Sequence, residues 1–238
     1  MIRFSQLKTI ARSPAHYQYA LTHPTDPTPA MRIGTLTHGM VLGGPQPVVY
    51  EGERRGNAWK EFKAAHEGVE IVTVAEHDQA RAIADAVLAD RRVTELLEGT
   101  TKETRADRVM HGLHVCGTPD AFSDTIVLDL KTTADARPDA FAWQCRKMHY
   151  AVQVVFYGDL LGGRDRHLIV GVEAKGPHPV TILELTPEMV DRARRTYIGW
   201  IEQLQNCTLS GVWPGYSEAV LPLDAIESLE LDFEEAAE

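Results

Sequence analysis

What most constrains the fold of this 238-residue chain is the order in which strand and helix periods follow one another. Three short β-type runs, residues 104–110, 114–122 and 125–131, come in succession, the last two separated by a turn at Ser123-Asp124. A long helical stretch over 140–161 follows, opened by Pro138-Asp139 and closed by Gly162-Gly163. Two further strands, 167–173 and 180–185, and a helix over 187–206 complete the C-terminal half. Ahead of the strands the spacing is helical. Two short helices between Phe4 and Leu21 meet at Ser13-Pro14, another runs from Ala30 to Leu42 and stops at Gly43-Gly44, and residues 73–98 place Ala80, Ile83, Ala84, Val87 and Leu88 on one face. This order predicts a mixed α/β (α+β) domain, a central mixed sheet flanked by helices. At 44% hydrophobic residues the chain fills one substantial core and is too short for two ordinary domains with a linker, so residues 1–223 are expected to form a single domain.

The formal charge of −10 at first argues against a polyanionic partner. Its distribution weakens that argument. Residues 224–238 hold seven carboxylates and no Lys or Arg, which leaves −3 for the preceding 223 residues. This acidic tail is expected to be flexible. The cysteines, Cys116, Cys145 and Cys207, are scattered and cannot supply a four-cysteine metal or iron–sulfur site. The apolar runs fall short of the roughly 20 residues a membrane span needs. The opening Met-Ile-Arg-Phe-Ser-Gln lacks the features of a signal peptide, so no membrane association and a cytoplasmic address are expected.

The chemistry concentrates in Gly117-Thr118-Pro119-Asp120 and Asp129-Leu130-Lys131-Thr132-Thr133. On a strand, residues two apart project from one face about 6.6 Å apart along the axis, so Asp129 and Lys131 share a site. Asp120, on the neighbouring strand of a hairpin, is within reach of it. Two carboxylates on adjacent strands suit a hard cation such as Mg²⁺, and a lysine beside them can orient or help deprotonate a water and offset developing negative charge.

Pro119-Asp120 followed by Asp129-Leu130-Lys131 resembles the signature of the PD-(D/E)XK nuclease superfamily. Five further features resemble the order of the RecE-type, exodeoxyribonuclease VIII-like exonucleases: the Gly34–Gly39 phrase with His38, the Asp129–Thr133 phrase, the helix carrying Gln153 and Tyr157, Glu173 after a strand, and the Trp213–Tyr216 loop. The similarity spans Phe4 to about Leu223. It implies a restriction-endonuclease-like fold and a Mg²⁺-dependent DNA exonuclease, with Mn²⁺ able to substitute. By the same resemblance the enzyme digests linear double-stranded DNA ends 5′ to 3′ and exposes single strands for recombination or an annealing protein, in a phage or prophage setting and as a homo-oligomeric ring. It assigns metal ligation to His38, Asp120, Asp129 and the Leu130 carbonyl, and water activation to Lys131. Gln153 and Tyr157 would contact the scissile strand or support Lys131, and Glu103 would supply an extra carboxylate.

Each assignment has a structural counterpart. Asp129 and Lys131 could be a surface pair, although an aspartate following Ile126-Val-Leu in a buried strand is costly without a partner. Asp120 could open a turn, His38 could be a satisfied core histidine, and Gln153 and Tyr157 could serve packing. The basic and aromatic stretch with Arg54, Arg55, Trp59, Lys60 and Lys63 reads either as a solvated helix start or as a surface that grips phosphates and stacks on an unpaired base. Lys102, Arg105, Arg146, Lys147 and Lys175 are further phosphate candidates, and Trp213 and Tyr216 are expected to pack the final loop against the core. Two other functions remain open. One is a RecB-like or CRISPR-associated nuclease acting on single strands or as an endonuclease, and the other is an inactive protein that binds DNA ends.

Overall fold

The computed structural model describes residues 1–217, so the acidic tail over 224–238 lies outside the described residues. A five-stranded mixed sheet organises the chain, in the order β10 (Val180–Glu184), β9 (Arg166–Glu173), β8 (Ile126–Thr133), β7 (Ala121–Phe122) and β4 (Thr101–Lys102). β8 and β9 run parallel, with Asp129 opposite Ile169 and Lys131 opposite Gly171, and the other pairings are antiparallel. Parallel neighbours need a crossover, supplied here by α7 (Pro138–Lys147) and α8 (Tyr150–Leu160). A three-stranded sheet of β1 (Ile2–Arg3), β6 (Leu113–Gly117) and β5 (Ala106–Met110) lies beyond the break in the hairpin, and β2 (Val48–Tyr50) pairs in parallel with β3 (Ile71–Thr73) after the intervening α4 (Gly56–Ala65).

Alternation along β8 divides the core in two. Val127 and Ile169 join the cluster built on α1 (Phe4–Leu7), α8 and α9 (Pro187–Ser210), where Phe4, Phe156, Tyr197 and Trp200 pack. Leu128, Leu130, Leu168 and Val170 face α3 (Pro29–Leu42) and α5 (Val74–Ala89) on the other side. Covered on both faces, β8 reads as an almost continuous apolar run, as a central strand must. Helix ends follow local chemistry. Thr28 caps α3 through a bond from the Met31 N–H, Pro29 occupies the first turn, and Gly43 closes the helix at φ +82°.

Four expected elements are shorter than their hydrophobic patterns. The run over 114–122 splits into β6 and β7, because Thr118-Pro119-Asp120 carries the chain from the three-stranded sheet into the five-stranded one and proline cannot donate to a ladder. Asp120 therefore precedes its strand and does not lie within it. The helical stretch over 140–161 breaks at His149, which adopts φ +58° between α7 and α8. Residues 73–98 divide at Asp90, whose carboxylate accepts from the Arg92 N–H at 2.9 Å and opens α6 (Arg91–Leu97). The strand expected over 104–110 begins at Ala106, after Glu103 has turned through φ +43°. Between Phe4 and Leu21 lie α1, a 3-10 turn over Lys8–Ala11 and α2 (Pro14–Thr22), with the break at Ser13-Pro14 where the sequence puts it.

Candidate active centre

The centre forms at the gap beside β8 ahead of the start of β7. Asp120 Oδ2 accepts from the Leu130 N–H at 2.7 Å, so the aspartate takes the place of a missing ladder partner. N–H and C=O of one strand residue face the same neighbour, which directs the Leu130 carbonyl into this gap as well. His38, on α3, brings Nδ1 to 3.5 Å from Asp120 Oδ2. Gly34 lets α3 approach this closely, since a Cβ there would sit 3.1 Å from Thr132 Oγ1. Asp129 is wholly buried. Neither of its oxygens has a hydrogen-bond partner, and Lys131 Nζ lies 2.7 Å from Oδ2 in a charge contact that falls outside hydrogen-bond geometry. Lys131 Nζ also stands 4.9 Å from the centre of the Tyr150 ring.

Burial sets the electrostatics. It pushes the Asp129 carboxyl up to about 6, against the pull of Lys131. Burial would lower the Lys131 pKa, but Asp129 and Asp120 outweigh it and hold the ammonium above the ordinary lysine value. Asp120 is the reverse of Asp129. Burial raises it, yet His38, Lys131 and the Leu130 N–H together keep it below the usual carboxylate range. His38 is correspondingly raised, Asp120 prevailing over burial. Two carboxylates in one gap are thus driven apart, one readily ionised and one reluctant.

A cleft of about 560 Å³ opens onto these groups, lined by His38, Glu103, Lys131, Thr132 and Tyr150 among others. Glu103 sits at its edge, its N–H donating to the Asp120 carbonyl at 3.0 Å. Gln153 donates to the Tyr157 hydroxyl at 3.2 Å, and burial followed by the charge of Asp129 pushes that phenol up to about 12. Tyr157 reaches this position because Gly117 has no side chain, a Cβ there falling 2.6 Å from the ring.

Sequence reasoning overlooked Lys8. Burial and the charge of Lys131 lower its pKa while Asp129 opposes them, so this lysine of the 3-10 turn lies within electrostatic reach of the centre. No motif marks it. Other expected residues lie apart. Arg54 donates to the Ile71 carbonyl at 3.0 Å and Glu76 at 3.1 Å and lies over Trp59, Arg55 pairs with Glu53, and Arg54 and Trp59 line an adjoining hollow of about 460 Å³ that shares Thr35 with the cleft. Glu173 accepts from the Ala136 N–H at 3.2 Å. Trp213 stacks on Tyr17 against the core as expected, whereas Tyr216 is 74% exposed because its hydroxyl is held outward by Arg12.

Among the described residues no group of three or more His, Cys, Asp and Glu side chains forms a ready-made metal cluster. The donor set still fits a hard divalent cation. Asp129 offers two buried oxygens without hydrogen-bond partners, Asp120 is readily ionised, and His38 and the Leu130 carbonyl border the same gap. The three cysteines are buried and unbridged.

A mixed sheet whose central strand carries Asp129 and Lys131, with Asp120 at the hairpin break and helices on both faces, is a restriction-endonuclease-like fold. A protein from Eubacterium rectale described as a candidate exonuclease shares it, with a TM-score of 0.67 at 15% identity over 93% of this chain and 89% of that one. The chain belongs to the family described as a PDDEXK-like domain of unknown function (DUF3799), which matches residues 3–223. Other similar structures are a phage-related exonuclease from Haemophilus somnus 129PT (TM-score 0.40, 15% identity, 89% of this chain and 96% of that one) and an alkaline exonuclease from Laribacter hongkongensis (TM-score 0.34, 13% identity, 71% and 87%). No curated protein matches the chain. Among the described residues no helix is long and apolar enough to cross a membrane.

Proposed function

We propose that this chain is a metal-dependent deoxyribonuclease of the RecE-type, digesting linear double-stranded DNA from its ends. One observation carries the reading: a fully buried Asp129 carboxylate without hydrogen-bond partners lies beside Lys131. A buried carboxylate left this way is costly, and coordination of a cation would satisfy it. His38, Asp120, Asp129 and the Leu130 carbonyl would hold Mg²⁺, or Mn²⁺ in its place. When bound, such an ion polarises a phosphoryl oxygen and lowers the pKa of the attacking water.

The chain's own groups supply the rest. Lys131, held beside Asp129, orients or helps deprotonate the water and offsets the charge that builds on the phosphoryl oxygens. Tyr150 fixes the ammonium from one side. Gln153 and Tyr157 brace the α8 face of the centre. Glu103, which lines the cleft, would add a carboxylate near the metal or the leaving group. Arg54, Arg55 and Trp59 would meet the duplex beyond the cleft, with Trp59 the more available because both arginines are already paired. Digestion from 5′ to 3′, exposure of single strands for an annealing partner, assembly as a homo-oligomeric ring and a cytoplasmic setting in a bacterial or phage-infected cell complete the proposal.

The test is digestion of linear duplex labelled at either end, with Mg²⁺ or EDTA, beside Lys131→Ala and a covalently closed circle. Early loss of 5′ label that needs Mg²⁺ and Lys131 and spares the circle is the expected result. Equal cutting of the circle would make the chain an endonuclease, and no cutting with any divalent ion would make it a DNA binder.

A further inference from the structure

A hollow of about 660 Å³ opens along α2, away from the catalytic cleft, lined by Arg12, His16, Tyr19 and His23 among others. This spacing puts their side chains on one face. Tyr19 is 63% exposed, and its ring lies parallel to that of His23, 3.8 Å between centres and 4° between planes. On the other side the exposed Tyr216 ring tilts against His16 at 5.4 Å, and its hydroxyl accepts from Arg12 Nε at 2.8 Å. Flat rings turned to solvent need a reason, because tyrosine side chains are usually at least partly covered.

A second hollow of about 260 Å³ shares Arg12 and adds Lys8, Lys147 and His149. Lys147 Nζ stands 4.6 Å over the exposed Trp143 ring. Among the described residues neither hollow is lined by a carboxylate, in a chain whose formal charge is −10. Cations and exposed rings without acids form a surface for a polyanion that also has flat apolar faces. The bases of a duplex are stacked on one another and hide those faces, whereas an unpaired strand presents them.

We propose that the strip from Lys8 and Lys147 through Arg12 to the Tyr19–His23 stack seats a single-stranded segment of DNA, bases on the exposed rings and phosphates on the cations. Because His149 in the second hollow directly precedes Tyr150, whose ring stands 4.9 Å from Lys131 Nζ, the strip starts close to the catalytic centre and leads away from it. Binding by the strip is independent of the nuclease reading. Only its use as the path of a strand leaving the active centre rests on that reading.

The test is fluorescence anisotropy of a dye-labelled oligodeoxythymidylate with the full chain in EDTA, repeated with a blunt hairpin duplex. Tyr19→Ala is expected to weaken single-strand binding about ten-fold, Tyr19→Phe to restore it, and Arg12→Ala to flatten its salt dependence by about one unit of log–log slope. Duplex binding and the thermal midpoint should stay as in the parent chain. The proposal is overturned if Tyr19→Ala and Arg12→Ala bind the oligonucleotide like the parent, or if single strand and duplex are weakened alike. A chain that needs Tyr19 for the oligonucleotide yet cuts no DNA would retain the seat and lose the nuclease reading. A chain that cuts DNA and ignores Tyr19 would do the opposite.

Discussion

Two aspartates in the same core are treated in opposite ways. Asp159, at the end of α8, accepts from Arg194 at 2.7 and 2.9 Å and from the Tyr197 hydroxyl at 2.6 Å. Asp129, on β8, is more deeply buried and has Lys131 beside it without a formed hydrogen bond. A carboxylate kept for structure is surrounded by donors, because each missing one costs desolvation energy that nothing returns. Leaving Asp129 short of donors withholds stability at one position and keeps its oxygens available. The contrast separates a structural acid from one proposed to hold a cation more sharply than burial does, since both are largely buried.

The contrast can be broken by substitution. Lys131→Ala should lower DNA cleavage by about a thousand-fold, roughly 4 kcal/mol of transition-state stabilisation, while leaving the thermal midpoint near that of the parent. Retention of more than about a tenth of the activity would remove Lys131 from the chemistry. Asp159→Ala should do the reverse, costing about 2–4 kcal/mol in urea unfolding because Arg194 and Tyr197 lose their acceptor, with the folded fraction still active. His38→Ala is expected to reduce metal affinity and activity about 10- to 100-fold, measured by Mg²⁺ titration of cleavage, and excess Mg²⁺ should recover part of the loss.

The smallest effect concerns pH in the metal-free chain. The Asp129 carboxyl, pushed up to about 6 by burial, binds its proton more tightly folded than unfolded. Its contribution to stability is therefore complete below about pH 4 and is lost as pH rises through about 6. Asp129→Asn has no such proton to lose. Unfolding in EDTA at pH 5 and at pH 7.5 should show the parent falling behind Asp129→Asn by roughly 1–2 kcal/mol across that interval. Parallel stabilities at both pH values would mean that Asp129 is better solvated than its surroundings indicate.

Much of this was legible in the residues. Asp129 and Lys131 share a face because strand alternation requires it, and α3 ends where Thr28, Pro29 and Gly43 put its caps. The breaks were not legible. The apolar pattern runs on through His149 and Asp90, so periodicity reports one helix where backbone geometry makes two. The switch at Thr118-Pro119-Asp120 left a trace in its proline, yet which sheet each half joins is decided by long-range pairing. Lys8 had no local signal, since its neighbours at the centre are more than a hundred residues away in the chain. Tyr150 looked like one apolar position among many, and only the break at His149 puts its ring against Lys131.

The pairing of β8 has a consequence for the time during which the chain is being made. On one side β8 meets only the two residues of β7, and on the other it is held along eight residues by β9. A nascent polypeptide that has emerged as far as Thr133 already possesses His38, Asp120, Asp129 and Lys131, but the strand that anchors two of them is still being translated. Until Arg166–Glu173 leaves the ribosome, only the two β7 pairings and the Asp120–Leu130 bond tie β8 to its surroundings, and the longer of its two seams is still unmade.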